Sequence, residues 1–169
     1  MQNYKGFTLI ETLVVMAIMT IMIVVAVPNF NQMQTKARIS STASDLVSAL
    51  KQGRSEALTK RINLQFAAVN SGSSVNAWGS QGWQVKDTVT DKIYFEQHTL
   101  PPTIRIAANP AVTKLVFVAT TGLVTKTDGT PVDVVFTVCD NGPQEGKTIT
   151  MSRLGRIAVT SATIADCAM

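Results

Sequence analysis

The sequence predicts an α+β fold, one long N-terminal helix packed on a largely antiparallel sheet. Three observations predict it. Residues up to Arg61 carry helical spacing with almost no turn chemistry, the hydrophobic period then changes from 3.6 to two, and clusters of Gly, Pro, Asn, Asp and Ser punctuate everything that follows.

The helix opens with residues 7–27, a run of 21 with a single charge, Glu11. At 1.5 Å per residue that run is roughly 30 Å long, enough to cross the hydrocarbon core of a bilayer. It is too long for a secretory h-region, and no small-x-small cleavage site follows it. Lys5 in the short polar head Met1 to Gly6 favours a cytoplasmic N-terminus, with everything after Pro28 extracytoplasmic. A carboxylate in such a run is costly and points to a partner. If the chain were cut after Gly6, the new amino terminus at Phe7 would lie one turn from Glu11, or would meet the Glu11 of a neighbouring subunit. The alternative is that Glu11 snorkels to the headgroups and favours the helix N-terminus. Pro28 removes one backbone hydrogen bond and predicts a kink or a locally melted turn.

Beyond Pro28 the helix becomes amphipathic. Ile39, Ala43, Leu46, Leu50, Gly53 and Ala57 recur in steps of three and four and draw one stripe, widened by Val47 and Leu58. Lys36, Arg38, Lys51 and Lys60 fall elsewhere, and Glu56 and Lys60 form an i, i+4 pair worth a few tenths of a kcal/mol. After Arg61, Ile62, Leu64 and Phe66 alternate with polar residues. So do Ile104 and Ile106; Val132, Val134, Phe136 and Val138; and Ile149 and Met151. Lys114 to Ala119 is apolar at successive positions, which predicts a strand covered on both faces. Turns are expected at Asn70 to Ser74, at Leu100-Pro101-Pro102, at Asp128-Gly129 as a hairpin tip, and at Asp140 to Pro143.

The chain of 169 residues is 46% hydrophobic and 15% charged, the apolar excess lying in the N-terminal run, and it carries one globular domain. Cys139 and Cys167 are the only cysteines, an even number in a compartment where disulfides form. Bridged, they would close a loop of about 29 residues and stabilise by roughly 3 to 4 kcal/mol; the alternative is two free thiols. Two cysteines and one histidine, His98, do not make a zinc site, and no cofactor motif is present. No nucleophile stands beside a base at a recognisable spacing, so no catalytic residue is expected and the chain does not read as an enzyme. His98 reads as a surface loop residue. Trp78 and Trp83 read as sheet core or a packed corner rather than a binding platform.

Lys5-Gly6-Phe7-Thr8-Leu9-Ile10-Glu11 resembles the leader and cleavage site of type IV pilins and type II secretion pseudopilins. The resemblance implies that a prepilin peptidase cuts after Gly6 and methylates Phe7. It also implies that Glu11 pairs with the N-terminus of an adjacent subunit, and that Pro28 is the helix-disrupting proline of the family. Arg54-Ser55-Glu56-Ala57, Gly82-Trp83-Gln84-Val85 and Leu154-Gly155-Arg156 are similar to patterns of the minor pilins and pseudopilins grouped as GspH, FimT and FimU. The fold implied is the pilin fold, with a small β-sandwich laid against the C-terminal half of the helix. The organisation implied is a leader at 1–6, a transmembrane and filament-core helix at 7–28, an amphipathic continuation at 29–61 and a β-rich domain at 62–169. The implied location is the bacterial inner membrane, single-pass with a periplasmic C-terminus, and afterwards the pilus tip. The implied partners are the peptidase, other minor pilins and the major pilin.

The role implied is a structural minor pilin that takes part in priming pilus assembly at the filament tip; the alternatives are a tip receptor for duplex DNA in natural transformation and a type II secretion pseudopilin. The net charge of +4 is a mild excess, weak as evidence for nucleic acid. Members implicated in DNA uptake resemble one another in a C-terminal Gly-Arg-x-Arg signature. Here Gly155-Arg156-Ile157-Ala158 lacks the second arginine, and Arg153 is the candidate to stand in beside Arg156, since guanidinium suits bidentate phosphate contact.

Overall fold

The structure, a computed structural model, describes residues 7–69, 77–97, 100–141 and 145–167, with the side chains of residues 24–29, 77 and 80 outside the described set. The chain divides into two compact units, Met1–Thr35 and Lys36–Met169. Helix α1, Leu9–Lys60, contributes to both.

In the first unit the helix starts at a cap that the sequence provides. The Thr8 hydroxyl accepts the Glu11 N–H at 3.3 Å, and the Thr8 carbonyl accepts from the Glu11 and Thr12 N–H groups. Thr8-x-x-Glu11 therefore sits as Ncap and N3, the spacing of a capping box. Glu11 lies in the first turn, where the helix dipole favours a negative charge. The helix runs unbroken through Pro28, so the locally melted turn expected there does not form. Among the described residues no helix is long and apolar enough to cross a membrane. The expected span, 7–27, runs into residues 24–27, whose side chains lie outside the described set.

In the second unit the strands are β1 Leu64–Ala68, β2 Trp83–Asp87, β3 Ile93–Gln97, β4 Ile104–Asn109, β5 Lys114–Phe117, β6 Val124–Thr125, β7 Val134–Asp140, β8 Gly146–Met151 and β9 Ile157–Ala162. They form two sheets, ordered β3-β2-β1-β5-β6 and β4-β7-β8-β9, with every pairing antiparallel. A short helix, α2 Ala77–Ser80, lies between β1 and β2, and a 3-10 turn, Ala165–Cys167, follows β9.

One core joins α1 to both sheets. Ile39, Ala43, Leu46, Leu50, Gly53 and Ala57 are all buried, as their spacing requires, and Thr42 and Ala49 extend the stripe. Gly53 has a packing reason: a Cβ there would meet the Phe117 ring at 2.9 Å and Val85 at 3.3 Å, so only glycine lets the helix approach this closely. Trp78 on α2 links the sheets. Its ring stacks on Phe66 of β1 at 5.1 Å and meets Phe136 of β7 edge-on at 5.3 Å, while its Nε1 donates to the Val112 carbonyl at 2.8 Å. Trp83 is also fully buried, so both tryptophans are core. Cys139 and Cys167 are bridged, which holds the turn after β9 against β7.

Several details depart from the sequence pattern. Leu58 is 38% exposed and Val47 only half-buried, because the buried arc of α1 is narrower than a two-residue widening allows. The first strand begins at Leu64 rather than Ile62, since Asn63 serves the loops instead. Its Oδ1 accepts the Ala119 N–H at 2.8 Å and its carbonyl accepts from Thr88. Lys114 to Ala119 is not covered on both faces: β5 ends at Phe117 and alternates, with Leu115 and Phe117 buried, Lys114 exposed and Val116 half-buried. Strands β3, β6 and β9 were not anticipated. Asp128-Gly129 does form a tip, with Lys126 N–H donating to Thr130 O, Gly129 at φ 84° and a bridge between Thr125 and Pro131. The turn at Pro101 also forms, the Ile104 N–H donating to its carbonyl at 2.9 Å. Residues 70–76, His98, Thr99 and 142–144, where other turns and the loop histidine were expected, lie outside the described residues.

Trp78→Ala should cost about 3 to 5 kcal/mol, since it empties the joint between the sheets and orphans the Val112 carbonyl; chemical denaturation of the two proteins measures it. At the β2–β3 turn the Val89 N–H, 2.7 Å from Asp87 Oδ1, holds the Asp87 carboxyl below the ordinary aspartate value. A carboxyl depressed in the fold contributes stability above its unfolded value that is lost as pH falls through the folded value. Asp87→Asn should therefore remove part of the acid-side decline in stability, read from denaturation curves between neutral pH and about pH 3.

Candidate functional site at the helix start and the arginine turn

The residues singled out in the sequence fall in two places. The first is the start of α1. Phe7 is 83% exposed immediately before the helix, and Gly6 lies outside the described residues. Glu11 is exposed, and among the described residues no donor reaches its carboxylate. From Leu9 to Ile23 the large apolar side chains are exposed on every side of the helix: Leu13, Met16, Met19 and Ile23 as much as Ile10, Val14, Ile18 and Ile21. The two threonines do not interrupt this surface, because the Thr12 and Thr20 hydroxyls donate back to the Leu9 and Met16 carbonyls, each at 2.8 Å. The backbone continues as helix through Pro28, whose side chain is outside the described set.

The second place is the turn between β8 and β9. Ser152 to Arg156 reverse the chain: the Gly155 N–H donates to Ser152 O at 2.7 Å, the Ser152 N–H to Arg156 O at 2.9 Å, and the Arg156 N–H to Ser152 Oγ at 3.1 Å. The structure thus brings Arg153 and Arg156 into one exposed turn. It also places an acid there. Asp133 Oδ1 accepts the Arg153 N–H at 2.7 Å, and its Oδ2 stands 3.9 Å from Arg153 Nε. Both side chains are exposed, so the ion pair itself contributes little. Its consequence is electrostatic: one of the two cations faces a carboxylate, and the surface offered to an anion is weaker than two arginines suggest.

Sequence reasoning missed what fixes this turn. Arg54, near the end of α1, reaches outward with Nε donating to the Gly122 carbonyl at 2.9 Å and a terminal nitrogen donating to the Leu154 carbonyl at 3.1 Å. Gly122 is in the β5–β6 connection and Leu154 in the β8–β9 turn, so one guanidinium ties a loop of each sheet to the helix. The Val124 N–H, donating to Arg153 O at 2.8 Å, adds a backbone link beside it. Gly155 has φ 77°, and an added Cβ would overlap the Arg54 side chain. The two motifs Arg54-Ser55-Glu56-Ala57 and Leu154-Gly155-Arg156 are therefore the two halves of one contact. Their joint presence was the available signal. In the same helical turn Glu56 pairs with Lys60 at 3.1 Å, as its spacing predicts.

Among the described residues there is no group of three or more His, Cys, Asp or Glu side chains placed to hold a metal ion. The Asp87, Asp128 and Asp166 carboxyls are held below their ordinary values chiefly by hydrogen bonds from Val89, Thr130 and Thr163 in their own turns, a local structural role.

The family model for the prokaryotic N-terminal methylation motif matches residues 1–27, and that for type II transport protein GspH matches residues 42–155. No curated protein matches the chain. Among solved structures the chain is similar to the type IV minor pilin FimU of Pseudomonas aeruginosa strain PAO1 in two crystal forms. In one the identity is 22% and the TM-score 0.60, covering 74% of this chain and 90% of FimU; in the other the values are 24% and 0.55, covering 72% and 91%. At that identity the likeness speaks for the fold.

Gly155→Ala should destabilise by about 1 to 3 kcal/mol, from positive φ and the clash with Arg54 together. Arg54→Lys should not rescue the loss seen in Arg54→Ala, because an ammonium cannot reach both carbonyls with a planar fork. Thermal unfolding of the three variants checks both statements.

Proposed function

The chain belongs to the GspH family, the pilins like GspH, FimT and FimU, and from that premise we propose that it is a minor pilin that primes assembly of type IV pili at the filament tip. Its role is structural rather than catalytic. The observation that carries this proposal is the helix surface from Leu9 to Ile23, apolar on every side, behind a capped start that holds Glu11. A helix apolar all round is not sustainable in water. It needs lipid at one stage and the flanks of other helices at another.

The sequence of events follows. The segment at 7–28 anchors the precursor in the inner membrane, with residues 29–169 periplasmic. A prepilin peptidase removes 1–6 after Gly6, and Phe7 becomes the methylated N-terminus. The helix then leaves the bilayer for a bundle of minor and major pilin helices. There Glu11, with no partner of its own among the described residues, neutralises the terminal amine of a neighbour, a pairing that strengthens as water is excluded.

Two other roles are carried by narrower observations. The family description names a type II transport protein, which favours a pseudopilin in a secretion machine. Arg153 and Arg156 share one exposed turn, which favours a duplex-DNA receptor, while Asp133 beside Arg153 weighs against it. A deletion strain scored separately for surface pili, protein secretion and DNA uptake separates the three.

Glu11→Ala should still fractionate with membranes but lose most of its co-purification with other minor pilins; undiminished association would overturn the proposed pairing. For the DNA role, binding of duplex by the protein should fall steeply with salt and weaken in Arg153→Ala and Arg156→Ala across sequences.

A further inference from the structure

Among the described residues, the outer edge of β9 is the one sheet edge that carries no protection. β3 is guarded by a register shift opposite it between Val85 and Lys86 and by Glu96. β4 carries Arg105, has α2 packed on it and ends at Asn109-Pro110. β6 is two residues long. β9, Ile-Ala-Val-Thr-Ser-Ala, has no charge, no proline and no bulge, and among the described residues nothing pairs with its free side. Natural sheets rarely leave such an edge bare.

The hydrogen bonding says which groups are free. The Ser152 N–H donates to the Arg156 carbonyl, and Ser152 and Arg156 are opposite residues by continuation of the β8–β9 register. In an antiparallel ladder the bonded pairs alternate, so Ala158, Thr160 and Ala162 bond to β8. Ile157, Val159 and Ser161 then turn their N–H and C=O groups outward.

Surface hollows flank both faces of this strand. On the helix side two adjoining depressions run past Lys36, Ser40, Ser44, Lys147, Val159 and Ser161; on the opposite face a third is lined by Asp133, Thr150, Arg153, Arg156 and Ala158. Val159 is 49% exposed although Ile149, directly opposite it on β8, is fully buried. The side of β9 that should be core is thus incompletely covered. Around the hollows stand four cations, Lys36, Lys147, Arg153 and Arg156, against two acids, Asp133 and Glu145, and Asp133 is already engaged with Arg153.

We propose that β9 is a docking edge for an extended acidic segment of another protein, which adds as a fifth strand to the β4-β7-β8-β9 sheet. Successive side chains of an added strand point to opposite faces, so they would enter the hollows on either side in alternation. Main-chain bonds to Ile157, Val159 and Ser161 supply affinity, and the cationic rim selects carboxylates. A second copy of this chain fits less well, because it would bring the same cations to the same edge. This interface is separate from the helix bundle proposed above and does not depend on it.

The test uses the full chain in detergent and two fluorescent peptides of about eight residues, one alternating threonine with glutamate and one alternating threonine with lysine, read by anisotropy. The glutamate peptide should bind and the lysine peptide should not. Val159→Pro, which removes an outward N–H at an edge position where proline is tolerated, should weaken binding by about tenfold or more. Ser161→Glu, which leaves the backbone intact, should weaken it by setting a like charge beside the docked carboxylates even if the proline variant misfolds, and Lys147→Glu, which leaves three cations against three acids around the hollows, should remove most of the preference between peptides. Equal binding of both peptides, no binding of either, or unchanged binding in Ser161→Glu would overturn the proposal. So would self-association of the chain through β9, detected by cross-linking of Val159→Cys.

Discussion

A single helical stripe, Ile39 to Ala57, must be buried for residues 36–169 to hold together, because it runs through the core shared by both sheets. Neither sheet covers its own inner face. The five-stranded sheet offers Phe66, Val85 and Phe117, the four-stranded sheet Ile106, Phe136 and Ile149, and the stripe of α1 joins them in one cluster. Gly53 sets how near the helix comes, since any side chain there would push the Phe117 ring away. Trp78 then spans the remaining gap, stacked on one sheet and edge-on to the other. Core of this kind tolerates little change in volume, because the neighbours are already at contact distance.

The same helix obeys the opposite rule before Thr35. Between Leu9 and Ile23 it has no single apolar face, and its threonine hydroxyls are satisfied within the helix instead of facing solvent. A stripe specifies one partner in a fixed orientation. An apolar cylinder accepts lipid or several helices alike, which is the property a subunit needs if it must leave a membrane for a filament. Glu11 is the exception that gives the cylinder polarity, held in the first turn by the Thr8 cap.

At the far end of α1, Arg54 turns the helix into a clamp on the loops. Its fork takes one carbonyl from each sheet, so the β8–β9 turn, with Arg153 and Arg156, is positioned by the helix and by both layers of the domain. Glycine at 155 is what leaves room for that side chain. The turn leads directly into β9, so the clamp also fixes where the exposed edge of the sheet begins.

The sequence by itself determined the helix, the buried stripe within it, most of the alternating strands, the methylation motif and the buried role of both tryptophans. Each of these is written in local spacing or in a contiguous motif, and local spacing survives without knowledge of the rest of the chain. Strands β3, β6 and β9 were illegible because their residues are half-exposed or few, so period two is weak in them. The narrower arc of α1, the shortened β1 and the one-sided β5 were decided by what lies opposite each. Only the tertiary structure brought Arg54 to Leu154 and Asp133 to Arg153, because those pairs are distant in the chain and meet through the closure of two sheets on one helix.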